Sequence, residues 1–288
     1  AIKKLGIKVN FYKNFCTIYG HGINGYKYKK NIIINAQNSG TLGRLLCGLL
    51  IDAKFPIKLV GDKSLSRRDF SRITVPLKKI GVRIKAKKNL LPIKIVVGKK
   101  LKNINYFENR GSAQCKSAMM LAALKTKTSS VIKAKKSRDH TERMFKALKL
   151  PINLKSTKNY DLIKLNGVKE YNSFNYLIPG DISSSAFFMV LTALSTNSKL
   201  IIKNVNINPS RIGIITILKK MGIKITFKNK KIYKGEKNAD IKIISPKKIN
   251  PINCPTKLNS EAIDEFLCIF LVAAKANGVS YFKNLSEL

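Results

Sequence analysis

The sequence predicts a layered α/β (α+β) protein built from a repeated unit of about seventy residues. Three observations predict it. Four apolar helices with small-residue starts recur as SGTLGRLLCGLLI (39–51), GSAQCKSAMMLAAL (111–124), SSSAFFMVLTAL (183–194) and SEAIDEFLCIFLVAAKA (260–276), their starts spaced by 72, 72 and 77 residues. A second helix type ends in Lys-Lys-x-Gly and runs into a strand, at 2–9, 77–84 and 218–225. The first helices are apolar nearly all round, as in 186–194, which places them inside a body of several layers.

Each repeat therefore reads as helix A, a short strand, helix B and two more strands. Helix A opens with Ser or Gly, which suits an N-cap. The short strands after helix A fall at 57–60, 131–133, 200–203 and 279–282. The strand pairs after helix B fall at 82–86 with 93–97, and at 223–227 with 241–244. Gly6, Gly81 and Gly222 stand where a left-handed residue ends helix B. FKALKLPINL (145–154) is a degraded copy in which Leu150 takes the glycine's place. One repeat alone cannot bury its helices, so the repeats must pack together. YNSFNYLIPG (171–180) interrupts the pattern and marks a boundary, giving domains 1–177 and 178–288. The repeat is entered in the last turn of a helix B and left where another should begin at Leu288. About four repeats are present, and a chain truncated at both ends is expected.

Composition narrows the function. The 288 residues carry 56 Lys and Arg against 15 Asp and Glu, a formal charge of +41. With 44% hydrophobic residues the chain is no disordered basic tail. Its apolar runs are far short of the ~20 residues of a membrane helix, and no signal peptide is visible. Five scattered cysteines and two histidines give neither a disulfide framework nor a metal site, so no metal is expected. The charge has two readings, a diffuse solvated lysine surface or a functional anion surface. Lysines (47) are spread evenly, and abundant Ile and Asn fit a nucleotide bias. The nine arginines say more: all but Arg83 lie near predicted helix starts. Guanidinium forks and helix N-termini both hold carboxylates and phosphates, which points to several small anion sites.

Four segments carry chemistry. Asn38, Ser39, Gly40, Thr41 and Arg44 combine close backbone approach, hydroxyls and a guanidinium; the plain alternative is an N-cap with glycines for packing. Gly61 to Arg68 links a strand to a helix B with two adjacent arginines, or is a solvated basic turn; it lacks the Walker A spacing. Ser112, Ala113 and Gln114 open one helix, and Ser137 and Arg138 precede another containing His140. These suit a phosphorylated, polyhydroxylated substrate or are helix-start signals. No Ser–His–Asp triad is supported there. Glu261, Asp264 and Glu265 cluster in an apolar helix start, where one acid can serve as a general base or simply pair with the helix dipole.

Taken together, NSGTLGRLL, GDKSLSRRDFSRITVPLKKIG, SAQCKSAMMLAAL, SRDHTERM, YLIPGDISSSAFF, NPSRIGIITILKKMG and EAIDEF, in this order over nearly the whole chain, resemble the enolpyruvyl transferase family, in its 5-enolpyruvylshikimate-3-phosphate synthase branch. The resemblance implies a two-domain fold of six βαβαββ units with the active site in the cleft between domains. It implies transfer of the enolpyruvyl group of phosphoenolpyruvate to the 5-hydroxyl of shikimate 3-phosphate, with release of phosphate, in the shikimate pathway. It implies no cofactor, no nucleic-acid or membrane partner, a monomer, and a cytoplasmic location with a plastid still open. By motif, Asn38, Gly40, Thr41, Arg44 and Arg68 would line the phosphoenolpyruvate side. Ser112, Ala113, Gln114, Ser137 and Arg138 would hold shikimate 3-phosphate. Asp264 would contact the reacting hydroxyl as base, and Glu265 would orient or cap. Pro179, Gly180 and Asp181 would be structural.

The sequence also departs from the family. Asp69 stands where the family often has Pro, bringing a carboxylate toward the anion site. By the resemblance, the family's opening Lys, Ser and Arg segment would precede Ala1, and its Lys-Glu-Ser-Asp-Arg segment would begin just after Leu288. A 288-residue chain without them is expected not to turn over alone; product formed by it would refute that. The rivals are UDP-N-acetylglucosamine enolpyruvyl transferase, whose reactive cysteine loop does not match Cys115 within a helix, and a basic RNA-binding or cyclase-like protein, for which specific motifs are lacking.

Overall fold

The computed structural model describes residues 1–23, 25–96 and 101–286. The chain divides into two compact units. The first comprises Ala1–Lys136 and Leu148–Phe174, the second Ser137–Ala147 and the chain from Asn175 onward.

In the first unit, a short 3-10 helix (Ile2–Leu5) leads into an antiparallel hairpin of β1 (Lys8–Phe11) and β2 (Cys16–Tyr19). One sheet then forms from β3 (Ile32–Asn35), β4 (Ile57–Val60), β5 (Arg83–Lys85) and β6 (Ile93–Val96), in the order β3-β4-β6-β5. Helix α1 (Gly40–Leu49) connects β3 to β4, and α2 (Ser71–Lys79) connects β4 to β5. A second sheet repeats this order with β7 (Asn105–Glu108), β8 (Ser130–Lys135), β9 (Ile152–Ser156) and β10 (Tyr160–Leu165), as β7-β8-β10-β9. Helix α3 (Ala113–Ala123) joins β7 to β8. In both sheets the first pair is parallel and the others antiparallel, as a helical crossover followed by a hairpin requires. Helices α1 and α3 pack closely. A Cβ on Gly48 would lie 2.0 Å from the Ala118 carbonyl oxygen, so only glycine fits there.

The second unit holds α4 (His140–Ala147), α5 (Ile182–Leu194), β11 (Lys199–Asn206), α6 (Gly213–Lys220), β12 (Lys224–Tyr233), β13 (Glu236–Ile244) and α7 (Phe266–Ala273). The sheet order β11-β13-β12 repeats the topology of the first unit. The leading strand shrinks to a parallel bridge of Gly180 with Val205, and a fourth copy keeps a parallel bridge of Asn253 with Tyr281. Its core gathers α5, α6 and α7 side chains such as Met189, Ile217, Phe266 and Ile269 over Ile241 and Ile243.

Several sequence expectations need correction. Strands 32–35 and 105–108, ahead of helix A, add a leading β to each of the two repeats of the first unit. Segment 279–282 is only a bridge at Tyr281, because Pro251 and Pro255 flank its partner Asn253 and interrupt any ladder. Residue 97, expected in a strand, and Leu288 lie outside the described residues. The third helix A is capped by Asp181 and not Ser183: the Asp181 carboxylate accepts from Ser184 N at 2.9 Å. The fourth does not begin at Ser260. The Glu261 carbonyl accepts from Gly213 N at 3.3 Å and Glu265 N donates to Ala262 O, so turns persist until Phe266. The left-handed residues Gly6, Gly81 and Gly222 have φ of 81°, 99° and 92°. In the degraded copy Lys149, with φ of 55°, holds that place, and Leu150 is buried beyond it. Phe187, Leu191, Leu267 and Leu271 on α5 and α7 are exposed, where all-round apolar helices were expected inside.

Candidate active site

In the first unit the site is built at the mouth of α1. Ser39 caps the helix, accepting from Leu42 N at 3.1 Å. Gly40 opens it and is buried. A Cβ there would meet Arg44 Nη1 at 3.0 Å and Arg68 Nη1 at 3.6 Å, so two guanidiniums flank a bare α-carbon. Arg44 is held from two sides. Its Nη1 donates to Gln114 Oε1 at 2.7 Å, and its guanidinium lies 5.3 Å from the Phe70 ring centroid. Gln114 Nε2 in turn donates to Thr41 Oγ1 at 2.8 Å, tying α3 to α1. Arg68 leaves the 3-10 turn Leu65–Arg67 in an extended conformation, and its guanidinium makes no hydrogen bond with the described residues. It borders a shallow cavity of about 590 Å³ lined also by Asp62, Lys63, Ser64 and Arg67.

Carboxylates frame these cations without quenching them. Asp62 accepts from Asn38 Nδ2 and Leu65 N, both at 2.7 Å. The Leu65 N–H is the main reason its carboxyl lies below the usual range. Asp69 accepts from the backbone and hydroxyl of Ser71, which lower its carboxyl, with Arg110 and Arg44 adding smaller pulls. At the mouth of α3, Ser112 caps Cys115 N at 3.3 Å, and Ala113 begins the helix. Ser112 N donates to the buried Glu108 at 2.8 Å, and Glu108 pairs with Arg72 at 2.5 Å.

The second unit places Ser137, Arg138 and Asp264. Arg138 Nη2 donates to Asp264 Oδ2 at 2.6 Å, with both side chains partly exposed. The Ser137 hydroxyl is buried and has no partner. Glu265 stands at the N-cap position of α7 but makes no capping bond. It is buried and accepts from Ser183 Oγ at 2.5 Å, with Arg211 at 3.8 Å. Burial pushes its carboxyl above the usual range despite these contacts. Glu265 therefore orients Ser183 and Arg211, and the capping role falls away. Gly180 and Asp181, expected to be structural, do bridge β11 and cap α5. They also line a cavity of about 300 Å³.

The structure thus gathers Asn38, Gly40, Thr41, Arg44, Arg68 and Gln114 in one unit, with Ser112 and Ala113 at the α3 mouth, and Ser137, Arg138 and Asp264 in the other. Asp62 lies in the 61–68 segment that the sequence singles out, but its bond to Asn38 could not be read there. Sequence reasoning missed Glu108, which the scarcity of acids that drew attention to Asp264 would have found. Among the described residues no cluster of His, Cys, Asp and Glu fits a metal ion, and no helix is long and apolar enough to cross a membrane.

The repeated topology is that of the enolpyruvyl transferases. The enolpyruvyl transferase NikO from Streptomyces tendae superposes with a TM-score of 0.68 over 96% of this chain and 63% of its own, at 12% identity, which speaks for the fold alone. The family of EPSP synthase (3-phosphoshikimate 1-carboxyvinyltransferase) matches residues 1–288, and the chain belongs to it. The 3-phosphoshikimate 1-carboxyvinyltransferase of Ruthia magnifica is 40% identical over all of this chain and 65% of its own length. That of Bacillus subtilis is 35% identical over all of this chain and 66% of its own. An EPSP synthase structure from Acinetobacter baumannii has a TM-score of 0.84 at 38% identity, covering 97% of this chain and 63% of that one. The chain therefore spans about two thirds of the length of the curated relatives it matches.

Proposed function

We propose that this chain serves the transfer of the enolpyruvyl group of phosphoenolpyruvate to the 5-hydroxyl of shikimate 3-phosphate. The observation that carries the reading is Gly40, whose bare α-carbon sits between the Arg44 and Arg68 guanidiniums at a capped helix mouth. Two forks and a helix N-terminus suit a ligand that carries both a phosphate and a carboxylate. On this reading Asn38, Gly40, Thr41, Arg44 and Arg68 take phosphoenolpyruvate. Ser112, Ala113, Gln114, Ser137 and Arg138 take shikimate 3-phosphate. As the 5-hydroxyl oxygen bonds to C2 of phosphoenolpyruvate its proton passes to Asp264, and the C2=C3 π pair takes up a proton at C3; loss of a C3 proton together with cleavage of the C2–O bond to phosphorus then releases phosphate and restores the double bond.

The domain division 1–177 and 178–288, a monomeric state and a cytoplasmic location belong to the same reading. Calorimetric titration tests it. Phosphoenolpyruvate and shikimate 3-phosphate should each bind saturably, and UDP-N-acetylglucosamine should not. Binding of the nucleotide sugar in place of shikimate 3-phosphate would overturn the reading.

A further inference from the structure

We propose that Glu236 is a positioning residue: by accepting the Nδ1–H of His140 it anchors residues 137–140 and leaves His140 Nε2 as a bare acceptor on the segment that carries Ser137 and Arg138. This rests on the assignment of Ser137 and Arg138 to a phosphorylated ligand.

The anchoring is threefold. Glu236, the buried first residue of β13, takes His140 Nδ1 on Oε1 at 2.6 Å. Its other oxygen accepts from Asn206 Nδ2 and Asn208 Nδ2, both at 3.2 Å. Asn208, fully buried, also donates to Asp139 Oδ1 at 2.7 Å. Arg143 closes the frame, donating to the Gly235 carbonyl at 2.9 Å and pairing with Asp139 at 2.8 Å. The start of α4 is thus pinned at three successive points by groups from beyond Asn206.

The chemistry follows from which group holds the proton. Burial pushes the Glu236 carboxyl up, but the His140 bond and Asn206 outweigh it, and the carboxyl lies below the usual range. An ionised carboxylate can only accept, so Nδ1 carries the hydrogen. In the neutral ring Nε2 is then a lone-pair acceptor. It is buried without a partner, as is the Ser137 hydroxyl. Buried polar atoms left unpaired are costly, and native proteins keep few of them. A phosphate ester with a free hydroxyl would satisfy both: its hydroxyl donates to Nε2, and a phosphate oxygen accepts from Ser137. Protonation of the ring would turn Nε2 into a donor and end that match. The charged groups facing His140 are Asp139 and Arg143 on its own element, Glu236, and Asp181, Arg211 and Lys234 around the shared cavity.

The chain has two histidines, His21 and His140, so a long-range proton–nitrogen correlation spectrum reads the ring directly. At pH 8 His140 should show Nδ1–H and an unprotonated Nε2. Glu236→Ala should shift it toward the Nε2–H form, leave His21 unchanged, and weaken shikimate 3-phosphate about tenfold, inorganic phosphate less. Glu236→Gln, whose amide oxygen still accepts, should keep the tautomer and most of the affinity. An Nε2–H tautomer in the wild-type chain or in Glu236→Gln overturns the proposal, even if Glu236→Ala fails to fold. So does an unmoved ring in a folded Glu236→Ala. A ring that responds as expected in a chain that ignores shikimate 3-phosphate leaves the positioning role standing and removes the ligand assignment.

Discussion

The two units hold the guanidiniums of the candidate site in different ways. In the first, Arg44 is steadied by neutral groups, Gln114 and the Phe70 ring, and Arg68 makes no hydrogen bond with the described residues, although Arg72 behind them pairs with Glu108. In the second, cations are steadied by carboxylates: Arg138 by Asp264, Arg143 by Asp139, Arg211 by Asp181. The difference teaches where the positive charge is available. A ligand reaching Arg68 has no hydrogen bond with the described residues to break, whereas a ligand reaching Arg138 competes with the Asp264 carboxylate.

That contrast can be broken by substitution. The largest effect is expected from Arg68→Ala. One charge-assisted contact contributes about 1.5–3 kcal/mol, so phosphoenolpyruvate affinity should fall roughly 10- to 100-fold by calorimetry. An unchanged affinity would remove Arg68 from the site. Asp264→Asn should act in the other direction on the second unit. Freeing Arg138 should tighten inorganic phosphate by up to about fivefold, since an exposed pair is worth up to about 1 kcal/mol; weaker phosphate binding would mean that the carboxylate holds Arg138 in place. Gln114→Leu loses two hydrogen bonds and should lower unfolding free energy by about 1–3 kcal/mol in urea melts.

Gly40→Ala should change stability by less than about 1 kcal/mol, because the added methyl crowds only the end of the Arg44 side chain, at 3.0 Å, and meets Arg68 and Leu65 at an ordinary 3.6 Å. It should weaken phosphoenolpyruvate by crowding its approach to the backbone; an unchanged affinity would argue against close approach at that carbon. The smallest expected effect is on pH dependence. Asp139 and Asp181 lie below their ordinary value of 3.8: burial opposes this, but hydrogen bonds and the Arg143 and Arg211 guanidiniums win. Each contributes stability above pH near 4 that is lost as pH falls through its folded value. Glu265, raised above 4.5 by burial, works oppositely and favours folding as pH drops toward 4.5. Glu265→Gln should therefore flatten the stability profile just above pH 4.5, read from urea midpoints; an unchanged slope would mean the carboxyl titrates alike folded and unfolded.

Much of this was legible in the sequence. The helix repeat, the left-handed glycines and the Ser39 and Ser112 caps follow from local chemistry, which spacing records. The leading strands at 32–35 and 105–108 escaped because four half-exposed residues carry little periodicity. The late start of α7 escaped because a distant group, the N–H of Gly213, takes the Glu261 carbonyl. The Gly40 cluster could be named from its motif, but not that Gln114 would bind Arg44 and Thr41 seventy residues away. Asn208 and Glu236 escaped for the same reason, since both act through residues near 140.

The central claim is that separate helix mouths recognise different phosphorylated ligands. Titrating phosphoenolpyruvate and shikimate 3-phosphate into the wild-type chain, Arg68→Ala and Arg138→Ala tests it most directly. The account predicts a crossed pattern: Arg68→Ala loses phosphoenolpyruvate and keeps shikimate 3-phosphate, and Arg138→Ala does the reverse. Equal losses of both ligands in both variants would contradict it.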